Sequence, residues 1–184
     1  MNHAFPCGTL ALDFVGTRRA RRNVEPTEKL TSPGDLADWF AESGMVDRAP
    51  DVDEGELADA VALREAIYAL VDARIHSAPL PREAVALVNR HAARQPTSVQ
   101  LEHGHLARGG AVSQGLASLA RETVEIVGGD DAALLRECAR PECTQVYLDR
   151  SRGHRREWCA MRTCGNRVKA SNFRARHQGA TAAR

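Results

Sequence analysis

Apolar residues return at helical intervals through most of this chain. Between residues 54 and 75, Ala60, Leu63, Ile67, Leu70 and Val71 form a stripe that predicts a central helix with one face in a core. Ser32-Pro33-Gly34-Asp35 predicts the start of an earlier helix, because serine caps well, proline suits the first helical position and an acid follows in the first turn. That helix turns Leu36, Trp39 and Phe40 inward and stops near Gly44. Pro81 opens a third, running to about residue 94 with Ala84, Val85, Val88 and Ala92 inward, and Pro96 ends it. A further helix over residues 115–127 carries Leu116, Leu119, Ala120, Val124 and Val127. Val99, Leu101 and His103 alternate ahead of Gly104, which predicts a small hairpin continued by His105, Leu106 and Ala107. Residues 9–15 are apolar and bounded by Gly8 and Gly16, and periodicity alone leaves strand and helix start both open. Gly128-Gly129-Asp130 reads as a hinge, after which a short helix over 131–137 leads onward. The fold class is α+β: a mostly helical unit with a small β element over residues 1–128, then a second unit over 129–184.

The second unit carries four of the five cysteines, as two C-x4-C pairs, Cys138/Cys143 and Cys159/Cys164. Four soft thiolates in two turns suit one tetrahedral structural Zn2+ with no open coordination position, so the metal is not expected to be catalytic. A segment this short, with few large apolar side chains, also needs such a staple to fold. Two disulfides and an iron centre are the competing readings. The N-terminus lacks a basic stretch followed by an apolar run, which speaks against export and hence against disulfides. The spacing matches neither common ferredoxin pattern. Residues 145–149 and 155–159 flank Ser151-Arg152-Gly153-His154 and predict a hairpin, and the proline-free run from Gly165 to Arg176 predicts a helix behind Cys164. Knuckle, hairpin and helix together describe a treble-clef-like finger.

Charge sharpens the division. Residues 1–135 hold 13 Lys and Arg against 20 Asp and Glu, whereas residues 136–184 hold 12 against 4. Even with about −2 from a zinc tetrathiolate, the second unit is basic and suits a polyanion. The basic run at residues 18–22 reads as a solvated loop, and His103 and His105, without a third ligand nearby, read as exposed or structural rather than metal-binding. No apolar run approaches the roughly 20 residues that span a bilayer, so a cytoplasmic protein without membrane partners is expected. No nucleophile elbow, phosphate loop, metalloprotease helix or dinucleotide fingerprint occurs, so no catalytic residue is assigned and the chain reads as a non-enzyme. Cys7 is the one remaining thiol, read either as a buried small side chain or as a sensing cysteine.

Asp149-Arg150-Ser151-Arg152, Arg155-Arg156 followed by Trp158-Cys159 and Met161, and Cys164-Gly165-Asn166-Arg167 with Lys169 resemble the CGNR zinc finger. In that family the finger usually closes a chain that begins with a helical ABATE domain, and Gly8-Thr9-Leu10-Ala11-Leu12-Asp13-Phe14-Val15 resembles its start. The chain departs from the pattern at Gly16, where asparagine is common, and at Glu157, inserted before Trp158. The resemblance implies zinc and a DNA-binding transcription regulator. On that reading Arg167, Lys169, Arg174 and Arg176, with Arg155 and Arg156, face nucleic acid, Arg167 also being a candidate to serve the zinc site. The N-terminal unit then acts as a sensor or dimerisation module, with a ligand pocket for a small-molecule effector near Asp13, Thr17 and Arg18. The alternative is a zinc-stabilised protein-docking module, or an RNA binder, without DNA readout.

Overall fold

A computed structural model describes the backbone of residues 3–140 and 142–181, and of residues 172 and 175–181 the backbone alone. Among the described residues, five helices, one short and four longer, form the first part. Helix α1 (Leu10–Val15) settles the open segment as a helix, capped by the Thr9 hydroxyl. A two-residue pair, β1 (Arg18–Arg19) against β2 (Thr27–Glu28), follows it. Helix α2 (Pro33–Glu42) starts where the serine cap predicts, with Ser32 and Asp35 completing a reciprocal capping box. Helix α3 (Glu54–Ile75) matches the predicted central helix and buries Ala60, Leu63, Ile67, Leu70 and Val71. Helix α4 (Arg82–Ala92) and helix α5 (Val112–Gly128) flank it, joined by the antiparallel hairpin β3 (Ser98–Glu102) and β4 (His105–Gly109). His103 and His105 are exposed on that hairpin.

Trp39 anchors the core. It is fully buried, with the rings of Phe14, Phe40 and Phe5 at centroid distances of 4.9, 5.6 and 5.9 Å. Helix α5 can lie this close to α2 because residue 115 is glycine: a Cβ there would sit 2.3 Å from a ring carbon of Phe40. The same apolar core runs on without a break into the cysteine-rich part, through Leu135, Val146, Tyr147 and Leu148.

Beyond α5 the structure departs from the expected path. A 3-10 turn (Asp130–Leu134) gives way to strand β5 (Leu135–Glu137), so a strand rather than a helix delivers Cys138. Its partner is β6 (Val146–Leu148), paired Leu135 to Leu148 and Glu137 to Val146. The hairpin therefore frames the first cysteine pair, and among the described residues no strand covers 155–159. Burial explains the choice, because Leu135, Val146 and Leu148 all have apolar side chains to hide against the first unit. A single π turn (Met161–Gly165) then leads into α6 (Asn166–Thr181).

Backbone hydrogen bonds stitch the two parts together. Leu148 donates to the Cys7 carbonyl at 3.1 Å and Ala20 to the Cys143 carbonyl at 3.2 Å. The Arg21 N–H donates to the Thr144 hydroxyl at 3.1 Å. The basic run at 18–22 is thus no solvated loop. Arg18 and Arg21 pair with Glu65, Arg22 pairs with Glu137, and Arg19 donates to the Gly16 carbonyl. Behind them the fully buried Arg64 holds Glu28 through both oxygens, at 2.6 and 2.7 Å, and Glu65 at 2.9 Å. Burial alone would raise the pKa of Glu28 and Glu65, yet bonds from Arg64 and Arg21 hold both below the ordinary value.

Candidate metal centre and basic groove

Cys138, Cys143, Cys159 and Cys164 are all buried, and their sulfurs lie within 4.8 Å of one another. Three of the sulfur separations are 3.4, 3.6 and 3.7 Å. Zinc–sulfur bonds of about 2.3 Å would set the edges of a tetrahedron at about 3.8 Å, so the donor set fits one zinc ion. Without a cation the thiols compete for protons. Hydrogen bonds from Cys143 and Cys159 push Cys138 down to about 2, while their interaction with Cys138 pushes Cys143 up to about 12 and raises Cys159 as well. A divalent cation would stabilise all four as thiolates and release their protons.

Local sequence explains how the sulfurs converge. The Cys138 N–H donates to the Gln145 carbonyl and the Cys143 N–H to the Arg140 carbonyl, both at 2.9 Å, which closes the first knuckle. The second pair is fixed by Arg156. Its Nε donates to the Trp158 carbonyl at 2.8 Å, and its Nη2 to the carbonyls of Cys159 and, at 3.0 Å, Pro6. The same guanidinium lies 4.4 Å over the Tyr147 ring, whose hydroxyl donates to the Arg156 carbonyl. Asp149, fully buried, accepts from the Ser151 N–H and hydroxyl at 3.0 and 2.6 Å and from the Arg156 N–H at 3.0 Å. Burial works against its charge, but these bonds hold its pKa below the ordinary value. Asp149, Ser151 and Arg156 of these motifs therefore form a loop staple, which is why residues 155–159 form no ladder.

The other expected contact residues lie outside this staple. Arg155, Arg167, Lys169 and Arg174 are exposed, and the side chain of Arg176 lies outside the described residues. Arg167 and Arg174, seven residues apart and so two turns apart, line one groove of about 460 Å3 between α6 and the first knuckle. Arg140, absent from the sequence reading, completes that groove beside Glu142, its ion-pair partner at 2.8 Å. Against the opposing effect of burial, Cys164 and Glu142 raise its pKa, which places Arg140 beside the ligand cluster. Its place between two ligands of a knuckle was the signal available.

The expected effector residues part company. Asp13 and Thr17 line a cavity of about 90 Å3 with Arg19, Lys29 and Trp39, whereas Arg18 turns to Glu65 at 3.6 Å. Beside this cavity, Gly16 lets Gln145 come close: a Cβ there would meet the Gln145 amide nitrogen at 2.2 Å, so a larger residue requires that side chain to move. That amide in turn donates to the Cys7 sulfur at 2.7 Å. Cys7 itself is fully buried, and burial, aided by the Asp13 charge, raises its thiol pKa well above the ordinary value.

Comparison with known families agrees with this layout. The ABATE family, described as "Putative stress-induced transcription regulator", matches residues 8–139, and the CGNR zinc finger matches residues 135–177. The two matches overlap on β5. With the four clustered cysteines, they make this one zinc site. Neither is an enzyme family. No curated protein matches the chain. Among the described residues no helix is long and apolar enough to cross a membrane.

Proposed function

From a chain that belongs to the ABATE family and closes on a CGNR zinc finger, we propose a non-enzymatic, cytoplasmic, zinc-dependent DNA-binding regulator. The observation that carries this reading is the groove in which Arg140, Arg167 and Arg174 converge on the exposed face of the finger. Three guanidiniums around one channel suit phosphate oxygens, since each offers a planar fork of donors. Lys169, Arg155 and Arg176 add further positive charge to the finger sequence, whereas Arg156 serves as a latch that also reaches Pro6 of the first unit. Zinc in this scheme is structural: it fixes the knuckle and the start of α6 and so sets the spacing of the groove. A single small finger offers few base contacts, so specific recognition draws on a second copy of the chain or on the first unit. The first unit acts as the sensor, through the cavity at Asp13 and Thr17.

The test is binding of zinc-loaded protein to bare duplex DNA over a salt series, by fluorescence anisotropy. Four phosphate contacts, one each from Arg167, Lys169, Arg174 and Arg176, predict a log–log slope of roughly −3.6. Absence of duplex binding at low salt overturns the proposal. A protein-docking finger is the second reading, and the exposed apolar surface of Met161 (49 %) and Phe173 (55 %) favours it. It predicts no affinity for bare duplex at any salt concentration.

A further inference from the structure

The cavity at the end of α1 has an unusual distribution of charge. At its buried end stands Asp13, only 4 % exposed. Its carboxylate accepts one backbone N–H, from Cys7 at 2.9 Å, and among the described residues no cation lies within ion-pair distance of it. At the solvent side stand Arg19, half-buried, and Lys29, exposed, and among the described residues no carboxylate pairs with either. Arg19 is held in place by its Nε bond to the Gly16 carbonyl at 3.0 Å, which leaves its terminal nitrogens for another partner. Trp39 closes one wall without solvent exposure, and the Thr17 hydroxyl is committed to the Phe14 carbonyl at 2.7 Å. A buried carboxylate with one hydrogen bond is costly unless a cation reaches it.

We propose that this cavity binds a small zwitterion of the α-amino acid class, with its ammonium on Asp13 and its carboxylate held at the mouth by Arg19 and Lys29. A simple anion would meet the Asp13 charge, and a simple amine would leave both cations unused. Only a ligand that carries both charges a few bonds apart satisfies both ends. The volume, about 90 Å3, holds several waters' worth of ligand and restricts the class to glycine- or alanine-sized molecules. Occupancy is also placed to reach the finger. Asp13 holds the Cys7 N–H, the Cys7 carbonyl accepts from Leu148 of β6, and Gly16 abuts the Gln145 side chain.

This inference rests on reading the first unit as the sensing part, and its test needs no DNA. Zinc-loaded full-length protein is titrated with glycine, L-alanine, acetate and methylammonium, with Tm and amide NMR shifts as readouts. Saturable binding of glycine or alanine, at least ten-fold tighter than either half-ligand, is the expected result. Lys29→Gln, a change at an exposed side chain, leaves the ligand-free Tm unchanged and weakens amino-acid binding about ten-fold; Asp13→Asn abolishes it. Acetate binding as tightly as glycine, an unaltered affinity in Lys29→Gln, or no saturable response to either amino acid overturns the proposal. Duplex affinity is measured separately, so failure of the DNA-binding reading and failure of this site are distinguishable.

Discussion

A guanidinium whose Nε and Nη2 donate to the carbonyls of Pro6, Trp158 and Cys159 is committed inside the fold, whatever its neighbours in sequence suggest. Arg156→Ala leaves those acceptors unpaired and strips the Tyr147 ring of its cover. We expect a loss of about 2–4 kcal/mol in chemical denaturation and weaker zinc retention against a chelator. Arg174→Ala, at an exposed position, should leave both unchanged. Gly16 and Gln145 form a second residue-scale pair. Gly16→Ala should cost about 1–3 kcal/mol by overpacking, and adding Gln145→Ala should restore much of it, a coupling that a double-mutant cycle measures directly. Asp13 gives a pH signature. Burial raises its pKa from 3.8 to about 6, against the opposing bond from the Cys7 N–H. Between those values the folded chain binds the proton more tightly than the unfolded chain, so this group's contribution to stability falls as pH rises through 6. Relative to wild type, Asp13→Asn should therefore gain about 1 kcal/mol between pH 5 and pH 7 in ligand-free urea unfolding.

Helix α6 is the element on which the proposed contacts sit, and the groove beside it joins α6 to the knuckle rather than lying on the helix alone. Arg174→Ala and Arg176→Ala should each weaken duplex binding about equally across sequences and flatten the salt slope by about one unit. Arg140→Ala should have two consequences, because the side chain lines the groove and stands beside Cys164: lower duplex affinity and faster zinc loss. Retained affinity in the Arg174/Arg176 double variant, with zinc still bound, would remove α6 as the nucleic-acid contact. The pairing of β5 with β6 explains the geometry. Had residues 155–159 formed the second arm, Arg156 could not reach back to Pro6, and the second cysteine pair would lack its anchor to the first unit.

For the whole molecule, the question is how far the finger and the helical unit depend on each other. Cys159→Ser should release zinc, measured by metal analysis, and unfold the finger while most of the helical circular dichroism persists. Because Leu148, Ala20, Arg21 and Arg156 bond across the seam, the same variant should also melt at a lower temperature throughout. The division at Gly128-Gly129 remains a proposal: residues 1–128 alone should fold without metal, with exposed apolar surface where β5 and β6 now pack. A disordered fragment by NMR would move the boundary and make the finger part of one cooperative core.

What the sequence by itself determined was everything local in period or spacing. Helix α3 and its stripe, the Ser32 cap, the hairpin around Gly104 and the four-cysteine cluster all follow from short-range geometry, since capping, amphipathicity and paired ligands act within a few residues. Tertiary structure decided the rest. Whether residues 9–15 became strand or helix, which strand took β6, and whether an arginine faced solvent or a carbonyl depended on partners far away in the chain. Arg156 and Arg174 look alike in sequence, yet one reaches Pro6, 150 residues away, and the other remains exposed. Charge pattern is blind to that difference, because the energy of a guanidinium is set by which acceptors and how much water the folded chain leaves around it.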